Sequence, residues 1–287
     1  MKPPPFAYAA PTEVAEALAL LAEEGARVLA GGQSLVPLMS ARREHPSALV
    51  DINRLAELAT LDANGSVTAG AIVRSDALAR NVAVRAALPV LADAAARVGH
   101  PAVRNRGTVG GNLAFADPAN NLPVVAIALD AELTVRSAGG DRAVAAVDFF
   151  RAAHTTALEP GELLCSVRFP GLPDGAGSAY YEVSARSRGW GLAGAAAALW
   201  LAEDGTIAGA RVALGGVGDV PVRLDTDGLI GAEPGAEAFA AAGAAAREAV
   251  AEPRADLHAS AEHRRHLAGV VVERALRAAS ARTGGRA

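Results

Sequence analysis

Apolar and polar positions along this chain follow two periods, and the switches between them mark out its elements. Val14, Leu18 and Leu21 recur at helical spacing. Thr12 is placed to cap that helix, Glu13 suits its first turn and Gly25 its end. A strand over Arg27–Ala30, a turn Gly31-Gly32-Gln33-Ser34, an apolar segment through Met39 and a second strand over Ala48–Ile52 complete a β–loop–α–β unit. Ser66–Ala71 reads as a strand. Ser75 and Pro89 open two helical stretches that end near Gly99. Residues Pro101 to Pro118 are rich in Gly, Arg and Asn without a clean period, the pattern of a functional loop. Ala131–Ser137 and Arg142–Val147 flank Gly139-Gly140 as a hairpin, and Leu163–Phe169 is a strand closed by Pro170. Pro170 to Gly177 reads as a linker. Beyond it, Tyr180–Arg186 and Leu192–Leu201 read as strands. The run Ala195–Ala198 favours helix by propensity, but Asp204-Gly205 followed by alternating Ile207–Leu214 favours a hairpin. Alanine-rich helices over Gly235–Ala251 and Ser260–Arg282 close the chain, and no repeat of solenoid period is visible.

The chain has 287 residues. At roughly 100–200 residues per domain, that suggests two domains. Its only lysine is Lys2, so no interior lysine is available for a Schiff base or a Walker-type phosphate loop. Its only cysteine is Cys165, which excludes an intrachain disulfide, an iron–sulfur cluster or a cysteine-rich zinc site on this chain. A formal net charge of −4 gives no sign of a nucleic-acid partner. No apolar run reaches the roughly 18 residues of a membrane-spanning helix, and the start lacks the apolar core of a signal peptide, so a cytoplasmic protein is expected.

Two glycine loops carry the candidate chemistry: Ala30-Gly31-Gly32-Gln33-Ser34-Leu35 and Thr108-Val109-Gly110-Gly111-Asn112. Paired glycines let successive N–H groups face one concavity, which binds anions, and Ser34 and Thr108 add hydroxyls. Either loop alone also reads as a tight turn. The pair, with matching polar flanks, points to the two phosphates of a diphosphate. Neither loop is a dinucleotide-binding G-x-G-x-x-G or a Walker A sequence, and Gly216-Val217-Gly218 lacks a third glycine, which disfavours a Rossmann site. Gly32 to Val36 also fails the serine-hydrolase elbow. His258, His263 and His266 lack a convergent carboxylate and read as a solvated or subunit-facing helix, so no metal site is expected.

Together with Ala116-Asp117-Pro118 after the second loop, these loops resemble the FAD-binding medium subunit of molybdenum hydroxylases. That family includes the aerobic carbon monoxide dehydrogenase and xanthine dehydrogenase flavoproteins. Phe6, Tyr8 and Pro11-Thr12, Val50-Asp51-Ile52, Glu162-Leu163-Leu164 and Arg264-Arg265-His266-Leu267 extend the resemblance along nearly the whole chain. It implies an α+β protein. A two-lobed FAD-binding domain covers 1–175 (lobes about 1–55 and 56–175), and a smaller C-terminal α+β domain with an antiparallel sheet and helices covers 178–287. It implies that Ala30–Leu35 and Thr108–Asn112 wrap the FAD diphosphate, that Asp117 and Pro118 lie near the ribityl chain and flavin, and that Leu164 and Cys165 supply backbone beside the ring. Trp190 falls where relatives carry an aromatic next to the isoalloxazine, but here the context Arg188-Gly189-Trp190 lacks their acidic residue, and a core or surface aromatic is the other reading. Asn121 stands where the family usually shows Asp. The implied function is electron transfer through FAD, with no catalytic acid or base on this chain. An iron–sulfur small subunit and a molybdopterin large subunit are the implied partners, and NAD or a quinone the acceptor. A stand-alone FAD-dependent oxidoreductase and a non-catalytic nucleotide-binding or assembly protein are the competing readings.

Overall fold

The computed structural model describes residues 2–186 and 189–284. Its architecture is α+β, with four sheets. At the N-terminus three short parallel strands pair in the order Ala7–Ala9, Ala48–Asp51, Ala26–Leu29. The helix Val14–Leu21 covers them, burying Val14, Ala17, Leu18 and Leu21 at the spacing read from the sequence. Its N-cap is Glu13 and no side chain caps it, so Thr12 does not play the capping part its type suggests. The strand Ala7–Ala9 carries no pattern of its own: it is held by pairing with Ala48–Val50 and by the Tyr8 hydroxyl, which donates to Asp51.

The middle of the chain forms a five-stranded antiparallel sheet in the order Leu61–Asn64, Ser66–Gly70, Leu163–Phe169, Glu132–Ser137, Gly140–Ala145. The Leu163–Phe169 strand serves two cores. Leu163 and Cys165 face the N-terminal core, while Leu164, Val167 and Phe169 face the larger central one. A register shift between Leu164 and Ser166 leaves Cys165 as the extra residue of a bulge.

The stretch Pro101 to Pro118, irregular in its pattern, contains two short helices, Pro101–Arg104 and Val109–Phe115. Its glycines, Gly107, Gly110 and Gly111, hide the helical period. After it comes a helix with no readable face at all, Asn121–Ala128, whose eight residues are all buried. An element enclosed on every side has no polar stripe and so no amphipathic signal.

The C-terminal sheet is antiparallel, in the order Gly177–Ser184, Gly191–Leu201, Ile207–Gly215, Val222–Leu224. The alanine run is strand, with Ala195 paired to Leu214 and Ala196 to Ala213. Both faces of the sheet are covered. Ala195, Ala197, Leu199, Val212 and Leu214 pack under the helices Ala236–Ala249 and Ala261–Ser280, whereas Tyr180, Ala196 and Ala213 join the central core beneath Pro89–Arg97 and Asn121–Ala128. A sheet buried on both faces has no polar alternation to display, and small alanines let the layers approach closely.

Candidate functional site

The two glycine loops meet. A Cβ on Gly31 would overlap the carbonyl oxygen of Arg106 and lie 2.8 Å from the Cα of Gly107. Only glycine permits that approach. Gly32 has φ +69°, which a side chain rarely adopts. On the other side, a Cβ at Gly111 would stand 3.8 Å from the Cβ of Ala30. Residues seventy and more apart in sequence thus form one cleft wall.

The loops differ in what they offer. Among the described residues, the backbone N–H groups of Gly31, Gly32, Gln33 and Ser34 donate to no acceptor of the chain. Gln33 folds its Nε2 back onto the Gly31 carbonyl at 3.0 Å, and Ser34, although the N-cap residue of the helix Leu35–Ser40, makes no side-chain cap bond. Four of the five N–H groups of the second loop, those of residues 109 to 112, are engaged. Val109 donates to Val73 O (2.9 Å), Gly110 to Ala71 O (2.9 Å) and Asn112 to Thr108 O (3.0 Å). Gly111 donates to Thr108 Oγ1 (3.0 Å), the capping bond of the Val109–Phe115 helix. The sequence leads us to expect two open N–H concavities; the first has four successive free donors, the second only the Thr108 N–H. The second loop contributes side chains: Asn112 Oδ1 is buried without a hydrogen-bond partner. A buried, unpaired amide oxygen is costly unless a donor reaches it. Free N–H groups on one loop and an unpaired acceptor on the other fit a ligand carrying both phosphate oxygens and hydroxyls, which FAD has.

A polar relay that the sequence did not announce fixes this geometry. Tyr8 OH donates to Asp51 Oδ2 (2.7 Å), and Asp51 Oδ1 accepts from the backbone N–H (2.9 Å) and Nδ2 (2.6 Å) of Asn53. Asn53 Nδ2 also donates to Ala30 O (2.7 Å). Arg74 then donates from Nη2 to Asn53 Oδ1 (2.6 Å) and from Nη1 to Arg106 O (2.7 Å). These donors overcome the desolvation of Asp51 and hold its carboxyl below the ordinary range. The clues in the sequence are Tyr8 and Asp51, both in stretches that carry the family resemblance; Asn53 and Arg74 follow no period or motif.

The remaining candidates fall around the cleft. Ala71 ties the Leu164-Cys165 stretch to the second loop: its N–H donates to Cys165 O (2.8 Å) while its carbonyl accepts from Gly110. The side chains of Leu164 and Cys165 are buried in opposite cores, and burial pushes the Cys165 thiol up to about 11, so it is an inert core residue. Asp117 Oδ1 accepts from Ala119 N (2.8 Å), and Asn120 Nδ2 donates to Asn112 O (2.8 Å), which stitches the Asp117-Pro118 turn to the second loop. Pro118 O accepts from Gly216 N (3.0 Å) in the C-terminal sheet. Asn121 is 5% exposed, and its Nδ2 donates to Tyr180 OH at 3.2 Å and to the Glu182 carboxylate. Burial raises the pKa of both Glu182 and Tyr180. An aspartate at 121 would set a second carboxyl against Glu182; the amide donates instead. Trp190 is 59% exposed at the edge of the Gly191–Leu201 strand, with no hydrogen bond or ring contact to the loops among the described residues. It is a surface aromatic in this structure. Arg188, part of its sequence context, lies outside the described residues.

Among the described residues, no group of three His, Cys, Asp or Glu side chains is placed to hold a metal, and no helix is long and apolar enough to cross a membrane.

Comparison with known proteins gives this α+β chain its class. A family model described as the FAD binding domain in molybdopterin dehydrogenase matches residues 4–172, and one described as the CO dehydrogenase flavoprotein C-terminal domain matches 178–279. The chain is 40% identical to the 6-hydroxypseudooxynicotine dehydrogenase complex subunit alpha of Paenarthrobacter nicotinovorans, over 96% of this chain and 95% of that one. It is 39% identical to the carbon monoxide dehydrogenase medium chain of Hydrogenophaga pseudoflava, covering 98% and 99% of the two chains. Among solved structures, a chain of quinoline 2-oxidoreductase from Pseudomonas putida 86 superposes with a TM-score of 0.93 at 35% identity, over 98% of this chain and 99% of that one. The chain therefore belongs to the FAD-binding medium subunits of the carbon monoxide dehydrogenase type of molybdenum hydroxylase. It is an oxidoreductase component, and its cofactor is FAD.

Proposed function

We propose that this chain is the electron-transfer flavoprotein of a cytoplasmic molybdenum hydroxylase, receiving electrons from an iron–sulfur small subunit that a molybdopterin large subunit supplies, and delivering them to NAD or a quinone. Bound FAD supplies the conversion between one-electron and two-electron transfer. The chain's own residues bind and orient it. In this reading the free N–H groups of Gly31 to Ser34 and the hydroxyl of Ser34 receive the diphosphate, and Leu35 opens the helix behind them. Thr108, Val109, Gly110 and Gly111 form the opposing wall. Asn112 offers its unpaired oxygen to a ligand hydroxyl. Asp117 and Asn121 order the turn toward the C-terminal sheet, and the backbone at Leu164 and Cys165 lines the inner edge. Trp190, exposed in this structure, is the candidate for an aromatic beside the isoalloxazine. The division into 1–175 (lobes about 1–55 and 56–175) and 178–287 belongs to the same proposal.

The observation that carries the reading is the junction of the two loops, free donors on one side and an orphaned acceptor on the other. The single cysteine supports the division of labour, since clusters need ligands from another chain. The test is to purify the chain with its co-expressed neighbours. The expected result is a yellow complex with one FAD per copy of this chain, whose flavin is bleached anaerobically by substrate only when an iron–sulfur chain is present. Turnover of an organic substrate by the isolated chain would refute the subunit role.

A further inference from the structure

We propose that Arg74 is the positioning residue of the cofactor site: it clamps the two glycine loops at the separation that a diphosphate requires. The proposal rests on the reading that these loops hold FAD. Arg74, with Asn53, connects them. Its Nη1 donates to the carbonyl of Arg106, the atom against which Gly31 is pressed, and its Nη2 reaches the first loop through Asn53, whose Nδ2 holds Ala30 O. The main chain of Arg74 also forms an antiparallel bridge with Thr108 at the start of the second loop. One half-buried residue thus fixes the second loop by backbone and side chain and the first by relay. A planar guanidinium suits this because its donors point in two fixed directions.

Charge points the same way. Among the described residues neither Arg74 nor Arg106 forms an ion pair. Burial, then the neighbouring Arg106, lowers the pKa of Arg74, and the pull of Asp51 only partly offsets this. Asp51 is itself engaged by Tyr8 and Asn53. Arg74 and the neighbouring Arg106 add positive potential near the loops that Asp51 offsets only in part, which favours an anion between them.

The test is titration of FAD into the full-length apo chain, followed by quenching of flavin fluorescence. Four variants are compared: Arg74→Met, Arg74→Lys, Asn53→Ala and the double variant Arg74→Met/Asn53→Ala. Arg74→Met is expected to weaken FAD binding by roughly tenfold or more, the scale of a charge-assisted hydrogen bond. Arg74→Lys, which keeps the charge and one bond, should recover part of the loss. Asn53→Ala should weaken binding, and the double variant should bind no worse than Arg74→Met alone, because the two residues act in series. ADP, which carries the diphosphate without the flavin, should lose affinity by the same factor as FAD. Arg74→Met binding FAD within about twofold of wild type, or additive effects of the two substitutions, would overturn the clamp. If Arg74→Met does not fold, Arg74→Lys and Asn53→Ala decide: wild-type affinity in both overturns it. Gly31→Val separates the two levels. If it too keeps wild-type affinity, the loop assignment itself is wrong; if it loses FAD while the Arg74 variants do not, only the clamp fails.

Discussion

Single residues set the site through contacts that leave no room for alternatives. Gly31 is such a case, since any side chain meets the Arg106–Gly107 backbone. Gly31→Val should abolish FAD retention while far-UV circular dichroism stays unchanged, because the clash is local to the loop junction; the FAD-to-protein absorbance ratio of the purified chain is the measurement. Glu182 shows a second kind of residue-level control. Its carboxyl is raised by burial, against the opposing pull of the Asn121 amide, the Arg97 charge and the Tyr180 hydroxyl. A carboxyl raised in the folded state binds more protons there than in the unfolded chain, so stability is full below the ordinary carboxyl range and falls as pH rises through the raised value. Glu182→Gln removes this dependence. Urea midpoints at a series of pH values should show the wild type losing stability relative to the variant as pH rises from about 4, and parallel curves would refute the assignment. Of the candidate residues, the glycines were legible because paired glycines beside polar residues have few structural uses. Asn53, Arg74 and Glu182 were not, because a polar residue's partner lies elsewhere in the chain and its own neighbours in sequence carry no trace of it.

At the scale of elements, the last helix shows how a polar residue organises packing. Ala261–Ser280 begins at Ser260, whose side chain accepts from the His263 N–H. One turn in, Arg264 is 3% exposed. Its Nη1 donates to the carbonyls of Leu192 (2.6 Å) and Gly216 (2.7 Å), and its Nη2 pairs with Asp256 at 2.6 Å. Desolvation opposes ionisation of Asp256, but the N–H groups of His258 and Ala259 and the Arg264 guanidinium prevail and hold the carboxyl at about 2. The helix is therefore pinned to the ends of two strands. Arg264→Met strands two buried carbonyls and a carboxylate, and should lower stability by about 3 kcal/mol, read from the shift in denaturant midpoint. The helix's span is readable from its alanine-rich composition. Its docking was not: among Arg264, Arg265 and His266 the pattern gives no reason for the first to be buried. The Asn121–Ala128 helix is the opposite case, where complete burial erased the period that would have announced it.

Over the whole molecule, the C-terminal sheet is a shared wall. Tyr180, Ala196 and Ala213 belong to the central core, and Val124 lies against Gly215 so closely that a side chain there would overlap it. Polar links run along the same junction: Ser178 Oγ accepts from Val90 N (3.3 Å), Arg282 pairs with Asp93 at 2.6 Å, and Arg223 pairs with Asp130. A fragment ending near residue 175 would expose the apolar faces of Pro89–Arg97 and Asn121–Ala128. We expect that fragment to aggregate or to bind FAD poorly, whereas co-expression with 176–287 restores a soluble, flavin-loaded complex; size-exclusion chromatography with absorbance at the flavin band reads the outcome. The family boundary between 172 and 178 divides the sequence. Across it the structure adds shared packing and polar links between the two parts.

The sequence by itself determined the chemistry this chain can and cannot perform. One cysteine and one lysine exclude clusters and Schiff bases, and two glycine loops mark the proposed diphosphate-binding element, because glycine's freedom and cysteine's ligand chemistry are properties of the residue. It also determined most elements whose burial is one-sided, since one-sided burial writes a period into the chain. Only the tertiary structure decided which N–H groups of the two loops are free, that Arg74 and Asn53 span the two loops, and that the alanine-rich strand is buried on both faces. Each of these depends on which distant residues become neighbours, and a local pattern records a residue's exposure, not its partner.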